Sequence, residues 1–350
     1  MSNKVKCKSE ASSKYKVVLF GLGAIGIGTG KLVLERENLS LIGAVDIDES
    51  KSGKDLHELM ELEGKSGVIV RKTLEEIIAD KGKPDIVLQT TGSYLKMIYP
   101  QLAGIVSAGV NVVSSAEELL YPHLRNPKLA DELDALAKSN GVTVLGTGVN
   151  PGFVMDTLPL VLSGVCHRVD RIESERIVDV STRRKALQKK VGAGLTVTEF
   201  EQKVATGTFG HVGLLESLAL VAAGLGWELD TIEETIEPAV AQKDMPSLGI
   251  EKGYVTGIRQ TGTGTKDGKE IIRLFLQISA GAENPHDSVD IYGVPDLKVT
   301  ISNGTAGGLA TNAALVNTIP QVVAAKPGLA MMGSQIFPRY TPKVNVKVMM

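Results

Sequence analysis

Cysteine is scarce in this chain: Cys7 and Cys166 are the two among 350 residues. There is no C-x-x-C spacing and no Cys/His cluster, so neither a zinc site nor a disulfide framework is expected. A reducing, cytoplasmic compartment is the economical reading. An excess of one charge is also missing. The formal net charge is −2 and no basic stripe is interleaved with aromatics, which argues against a nucleic-acid partner. No apolar run reaches the ~18 residues that span a bilayer, so no membrane partner is expected. Met1 to Lys16 is polar and lysine-rich without a hydrophobic signal core behind it, and residues 1–15 read as a disordered lead-in.

What the chain does have is length for two domains and 38 glycines, gathered around turns. The stretch that organises the rest is an apolar strand (Val17–Phe20), then Gly21-Leu22-Gly23-Ala24-Ile25-Gly26, a helix, and a strand Leu41–Val45 ending in Asp46. In a G-x-G-x-x-G turn the first glycine permits the tight bend, the second lets a pyrophosphate approach the backbone, and the third lets helix and strand pack closely. The N–H groups opening the helix, from Ala24 and Ile25 onward, face the phosphates. Asp46, about 20 residues after Gly26, stands where a carboxylate accepts from the adenosine ribose. No arginine follows it, so NAD is favoured over NADP, with Lys51 or Lys54 able to fold back and allow both.

Alternation of strands and helices continues to about residue 150 and fits a parallel sheet covered on both faces. Three loops at strand ends converge on the cofactor face: Thr90-Thr91-Gly92-Ser93, Ser114-Ser115-Ala116-Glu117-Glu118 and Gly146–Phe153, the last including Asn150. Beyond Asn150 the pattern changes. Arg171–Val180 alternates as a half-exposed strand, and Val197–Ala205 reads as a helix capped by Thr198 with Glu201. A second helix runs over Val212–Gly226, and Val255–Thr261 with Ile271–Ile278 form a hairpin around Lys266-Asp267-Gly268-Lys269. Strands Val289–Val294 and Leu297–Ser302 follow. A small-residue helix over Gly307–Ile319 is expected to return to the first domain. The resulting division is a Rossmann domain over 16–150, a substrate and dimerisation domain over 151–305, and a returning helix and tail over 306–350.

Of the three converging loops only the middle one carries ionisable side chains. A carboxylate opposite a hydride-losing carbon suits an amine, which becomes cationic as an iminium, and the same group can then activate water. An acidic pair at a helix start is equally what the helix dipole favours. Glu117, nearer the strand end, is expected to face the nicotinamide, and Glu118 to face solvent or a cap. His211, between Gly210 and Val212-Gly213 at a helix entrance, is a candidate pocket wall or second proton carrier. Arg176 is a candidate for a substrate carboxylate. Arg183-Arg184-Lys185 to Lys189-Lys190 reads as a solvated loop.

The segments Ser114–Leu119, Val144–Phe153 with Asp156-Thr157-Leu158, and Gly210–Gly213 through Gly226–Asp230 resemble 2,4-diaminopentanoate dehydrogenases and the native NAD(P)-dependent amine dehydrogenases related to them. The resemblance runs from Lys16 to about Val323. It implies a dihydrodipicolinate-reductase-like architecture, with a Rossmann doubly wound sheet plus an α/β domain whose open mixed sheet pairs in a homodimer. It also implies Glu117 as the catalytic glutamate, Phe153 as a pocket wall and His211 as a pocket residue. Val180 to Val191 departs from the diamino-acid pattern, which turns the expectation toward simple amines or ketones, with ammonia as co-substrate in reverse. Two other readings remain at this point: a carbonyl or hydroxy-acid oxidoreductase using His211 as acid, and a non-catalytic NAD-responsive module.

Overall fold

In the computed structural model the described residues are 14–183, 185–334 and 336–338. The expected lead-in, apart from Lys14 and Tyr15, lies outside them, as does Cys7. The strands in chain order are β1 Tyr15–Phe20, β2 Leu39–Val45, β3 Val70–Arg71, β4 Ile86–Gln89, β5 Asn111–Ser114, β6 Thr143–Gly146 and β7 Arg168–Asp179. They continue as β8 Thr231–Val240, β9 Val255–Lys266, β10 Lys269–Ser279, β11 His286–Val294, β12 Leu297–Ser302 and β13 Gly328–Ala330.

Two sheets result. The first has the order β13-β6-β5-β4-β1-β2-β3, and all its neighbouring strands pair parallel. Strand order reverses at β1, so the chain leaves β1 and β4 in opposite directions and opens a crevice at their carboxyl ends. Alternate residues of β1 feed two cores: Val17 and Leu19 pack on one side, Val18 on the other. Leu315, Val316, Ile319 and Val322 share the core of Val17 and Leu19, so the chain after residue 306 closes over the first sheet.

The second sheet has the order β12-β11-β7-β10-β9-β8 and is mixed, since β10 pairs parallel with β7 and the remaining neighbours are antiparallel. One face is covered by the helices Thr157–Ser163 and Leu214–Leu225, through Leu158, Leu214, Leu218 and Val221. The fold is therefore a doubly wound parallel sheet joined to a second domain built on an open mixed sheet, as expected. Among the described residues no helix is long and apolar enough to cross a membrane.

Some local expectations are corrected. The capping box sits at Thr196 and Glu199, two residues ahead of the expected pair, because starting there seats Phe200 fully in the core. The basic stretch expected as a solvated loop contains a short helix, Lys185–Lys190. Strand β8, with Ile and Glu alternating at the sheet edge, and the helix Thr157–Ser163 carried no expectation at all.

Candidate active site

The glycine turn has the geometry its spacing implies. Gly21 lies at φ +95°, and a Cβ on Gly26 would stand 1.9 Å from the Gly21 carbonyl oxygen, so neither tolerates a side chain. A Cβ on Gly23 would meet nothing within 4 Å: the space beside it is open. Gly23 caps the helix Ala24–Leu34 without a side-chain hydrogen bond, leaving the first N–H groups, of Ala24, Ile25 and Gly26, without helical partners. Asp46 accepts from Leu22 N–H at 2.8 Å, from Asp48 N–H at 2.9 Å and from Lys51 Nζ at 3.0 Å. Burial pushes its carboxyl up, but these hydrogen bonds and the Lys51 charge outweigh it and hold Asp46 below the usual range. A bare helix start, an open glycine and a partly buried acid just past the end of β2 fit a dinucleotide.

Below that turn lies a cleft of about 300 Å³ lined by Ile25, Thr90, Thr91, Ser93, Ser115, Glu117, Asn150 and Thr311, among others. Thr90 donates to the Gly21 carbonyl at 2.9 Å and so ties the β4 loop to the glycine turn. Ser114 is fully buried and spends its hydroxyl on Gln89 and on Ala116 N–H, so its neighbour Ser115 faces the cleft in its place. Thr311 comes from the returning helix Gly307–Asn317 and accepts from Val149 N–H at 3.3 Å.

A second cavity of about 250 Å³ lies beyond, lined by Ser93, Tyr94, Glu117, Leu187, Lys190, His211, Val212 and Ile258 among others. Glu117 and Ser93 belong to both walls. Glu117 opens a single 3₁₀ turn, Glu117–Leu120, held by Glu118 N–H to the Ser93 carbonyl at 3.1 Å. Burial raises the Glu117 carboxyl above its ordinary value, against the lowering pull of a Ser93 hydroxyl hydrogen bond and the Lys190 charge. Its neighbour Glu118 points away and caps the start of the preceding helix, Leu95–Ser107, accepting from Leu95 N–H at 2.8 Å and from Asn126 Nδ2 at 3.1 Å.

His211 is fixed by Gln260, which accepts from its N–H at 2.9 Å and donates to its carbonyl at 2.8 Å. The flanking Gly210, at φ +132°, leaves no room for a Cβ beside Ile236. The ring hydrogen-bonds the Asn150 backbone, while Nε2 is buried without a partner. Burial first, then the charges of Arg176 and Lys190, press its pKa down to about 4, so the imidazole is neutral near pH 7 and presents a lone pair. Asn150 Oδ1 is a second buried acceptor without a partner.

Two expected site residues are corrected. Arg176 is 4% exposed, and its terminal nitrogens are taken by Asp287 at 2.5 Å and by Thr305 Oγ1 and carbonyl at 2.7 and 2.9 Å. A buried guanidinium needs such partners; here they tie β7 and β11 to the turn before the returning helix, leaving those nitrogens unavailable to a substrate carboxylate. Phe153 lines neither cavity and packs instead against the core of the second sheet. Lys190, read as solvated, proves to be a cation on the second cavity's wall. The signal for it was Leu187 and Val191 at helical spacing, which turn that segment inward over the pocket.

A family model for the 2,4-diaminopentanoate dehydrogenase C-terminal domain matches residues 153–343. The 2,4-diaminopentanoate dehydrogenase of Acetoanaerobium sticklandii is 36% identical over 334 residues, covering 93% of this chain and 94% of that protein. The chain belongs to the 2,4-diaminopentanoate dehydrogenase family. Two further relatives are amine dehydrogenases. The amine dehydrogenase of Streptomyces virginiae is 28% identical over 340 residues, covering 89% of this chain and 93% of its own. The solved amine dehydrogenase from Mycobacterium smegmatis superposes with a TM-score of 0.80 at 28% identity, over 94% of this chain and 98% of that one. The chain is accordingly an oxidoreductase of the amine-dehydrogenase kind, built for a nicotinamide cofactor.

Proposed function

We propose that this enzyme oxidatively deaminates a short amine bearing a remote anionic group, a diamino acid being the favoured class, with Glu117 as the catalytic carboxylate. One observation carries the reading: among the described residues, Glu117 is the only acid on the wall of either cavity, and it is on both. Gly21, Gly23 and Gly26 would take the pyrophosphate, Asp46 the ribose, and Thr90, Thr91 and Asn150 the nicotinamide end. When bound, the nicotinamide accepts the hydride that leaves the amine-bearing carbon.

Everything else falls to the chain. The substrate nitrogen meets an acceptor-rich wall, with His211 Nε2 and Asn150 Oδ1 lacking donors beside the Glu117 carboxylate. Such a wall holds N–H donors and stabilises a carbon turning cationic. Because burial raises its pKa, Glu117 can also take a proton from the water that attacks the iminium carbon and deliver it to the departing ammonia. Lys190 stands where the far end of the substrate would lie and supports an anionic terminus there. His211, neutral at physiological pH, has no proton on Nε2 to give, which weighs against the carbonyl-reducing reading that needs it as an acid.

Glu117→Gln is expected to lower deamination about 100- to 1000-fold while NADH binding, followed by its fluorescence, stays at the parent level. Parent-level turnover would refute the assignment. NAD is the expected cofactor, and the partly exposed cation Lys51 beside Asp46 supports use of NADP as well. Lys51→Ala is then expected to lose NADP activity before NAD activity, by several-fold. A homodimer through the outer face of the second sheet, where a cavity of about 280 Å³ opens between Glu173, Arg273, Phe275 and Lys298, is checked by light scattering. The free Cys166 suits a reducing cytoplasm.

A further inference from the structure

Behind Glu117 lies a charged pair that no step above uses. Glu216 sits in the first turn of the helix Leu214–Leu225, its side chain 1% exposed. Its Oε1 accepts from Arg125 Nε at 2.6 Å, and its Oε2 is buried with no partner at all. Arg125 closes a second 3₁₀ turn, Pro122–Leu124, that directly follows the one opened by Glu117, whereas Glu216 lies 91 residues on, in the second domain. The start of that helix presses directly on the candidate catalytic turn: a Cβ on Gly213 would stand 3.1 Å from Glu117 Cβ and 2.4 Å from Pro151 Cγ.

We propose that Arg125 and Glu216 are positioning residues for Glu117: their ion pair clamps the second domain's helix onto the turn carrying Glu117 and sets the charge that this carboxylate faces from behind. The inference rests on the reading of Glu117 given above. The geometry explains why a carboxylate is kept in a dry place with one oxygen unpaired, at a cost that burial normally penalises. With Arg125 bonded to one oxygen, the pair is neutral overall, but its negative end is the one that Glu117 senses.

The remaining charged and titratable groups around Glu117 are few. Lys190 faces it from the helix Lys185–Lys190 and lowers its proton affinity, whereas Glu216 raises it. His211 is neutral, Glu118 is turned into its cap, and Glu234 on β8 senses Arg125 and Glu216 and is tied to Gln260 at 2.7 Å. Burial is the main reason the Glu117 carboxyl is raised; on top of it Lys190, from the substrate side, and Glu216, from behind, shift it in opposite directions.

The test reads protonation directly. Protein labelled with carbon-13 at the glutamate carboxyl is titrated by NMR, and the resonance missing from Glu117→Gln identifies Glu117. In Glu216→Gln, which keeps the shape and can still accept from Arg125, the Glu117 midpoint is expected to fall by about one pH unit. In Arg125→Met it is expected to rise, and in the double variant to return toward the parent value. A midpoint unmoved in Glu216→Gln, with thermal melting showing a folded protein, overturns the proposal. Should that variant unfold, Arg125→Met alone decides, and no rise there overturns it. Because the readout is a proton and not a turnover, it fails or succeeds separately from the deamination assay on Glu117→Gln.

Discussion

The two cavities that share Glu117 are built from different materials. The cofactor side is made of backbone: Gly21, Gly23 and Gly26, a bare helix start, and small hydroxyl residues at strand ends. The substrate side is made of side chains drawn from distant segments, with Leu187 and Lys190 from one helix, His211 and Val212 from the loop that leads into the helix Leu214–Leu225, and Ile258 from β9. Backbone geometry is all-or-none, because adding one atom collides with a carbonyl. A side-chain wall is adjustable, because exchanging one residue changes affinity and leaves the cavity standing.

That contrast can be broken by experiment. The largest effect is expected on the cofactor side, where Gly26→Ala puts a methyl carbon 1.9 Å from the Gly21 oxygen. NAD binding by isothermal titration should weaken at least about 100-fold and the melting temperature should drop. Retained binding would mean the turn is looser than described. On the substrate side, Lys190→Met is expected to raise KM for a carboxylate-bearing amine about 10- to 100-fold and to leave an uncharged amine almost untouched. Equal losses for both would make Lys190 structural.

A smaller effect concerns stability. His211 has a folded pKa of about 4, below the 6.5 of an exposed histidine, so the unfolded chain binds the extra proton between those values. Stability from this group is complete above pH 6.5 and is lost as pH falls through 4, by roughly 3 kcal/mol in all. Denaturant titrations of His211→Gln should show a flatter pH dependence in that window. An unchanged slope would mean the ring is not buried in its neutral form.

The same contrast explains what could be read from the sequence. Gly21, Gly23, Gly26 and Asp46 announce themselves because a phosphate-binding backbone demands glycine at fixed local spacing. Glu117 was legible for a related reason, standing with Glu118 in the one loop of the three converging on the cofactor face that carries ionisable side chains. Phe153 and Arg176 were misplaced because both belong to the second domain, where role depends on pairing across sheets: Arg176 meets Asp287, more than a hundred residues away. Lys190 was lost in a run of charges whose inward face depends on Leu187 and Val191. At Thr196 and Thr198 two overlapping capping boxes were possible, and only the burial of Phe200 decides between them. Glu216 reads as one more helical acid until Arg125 folds against it.

The account turns on where the carboxylate of residue 117 stands when the site is filled. A crystal structure of the enzyme with a nicotinamide cofactor and an unreactive amine tests it most directly. The expected result is a Glu117 oxygen within about 3 Å of the amine nitrogen, on the wall between substrate and nicotinamide. A Glu117 side chain turned away from both, with another group holding the amine, would contradict it.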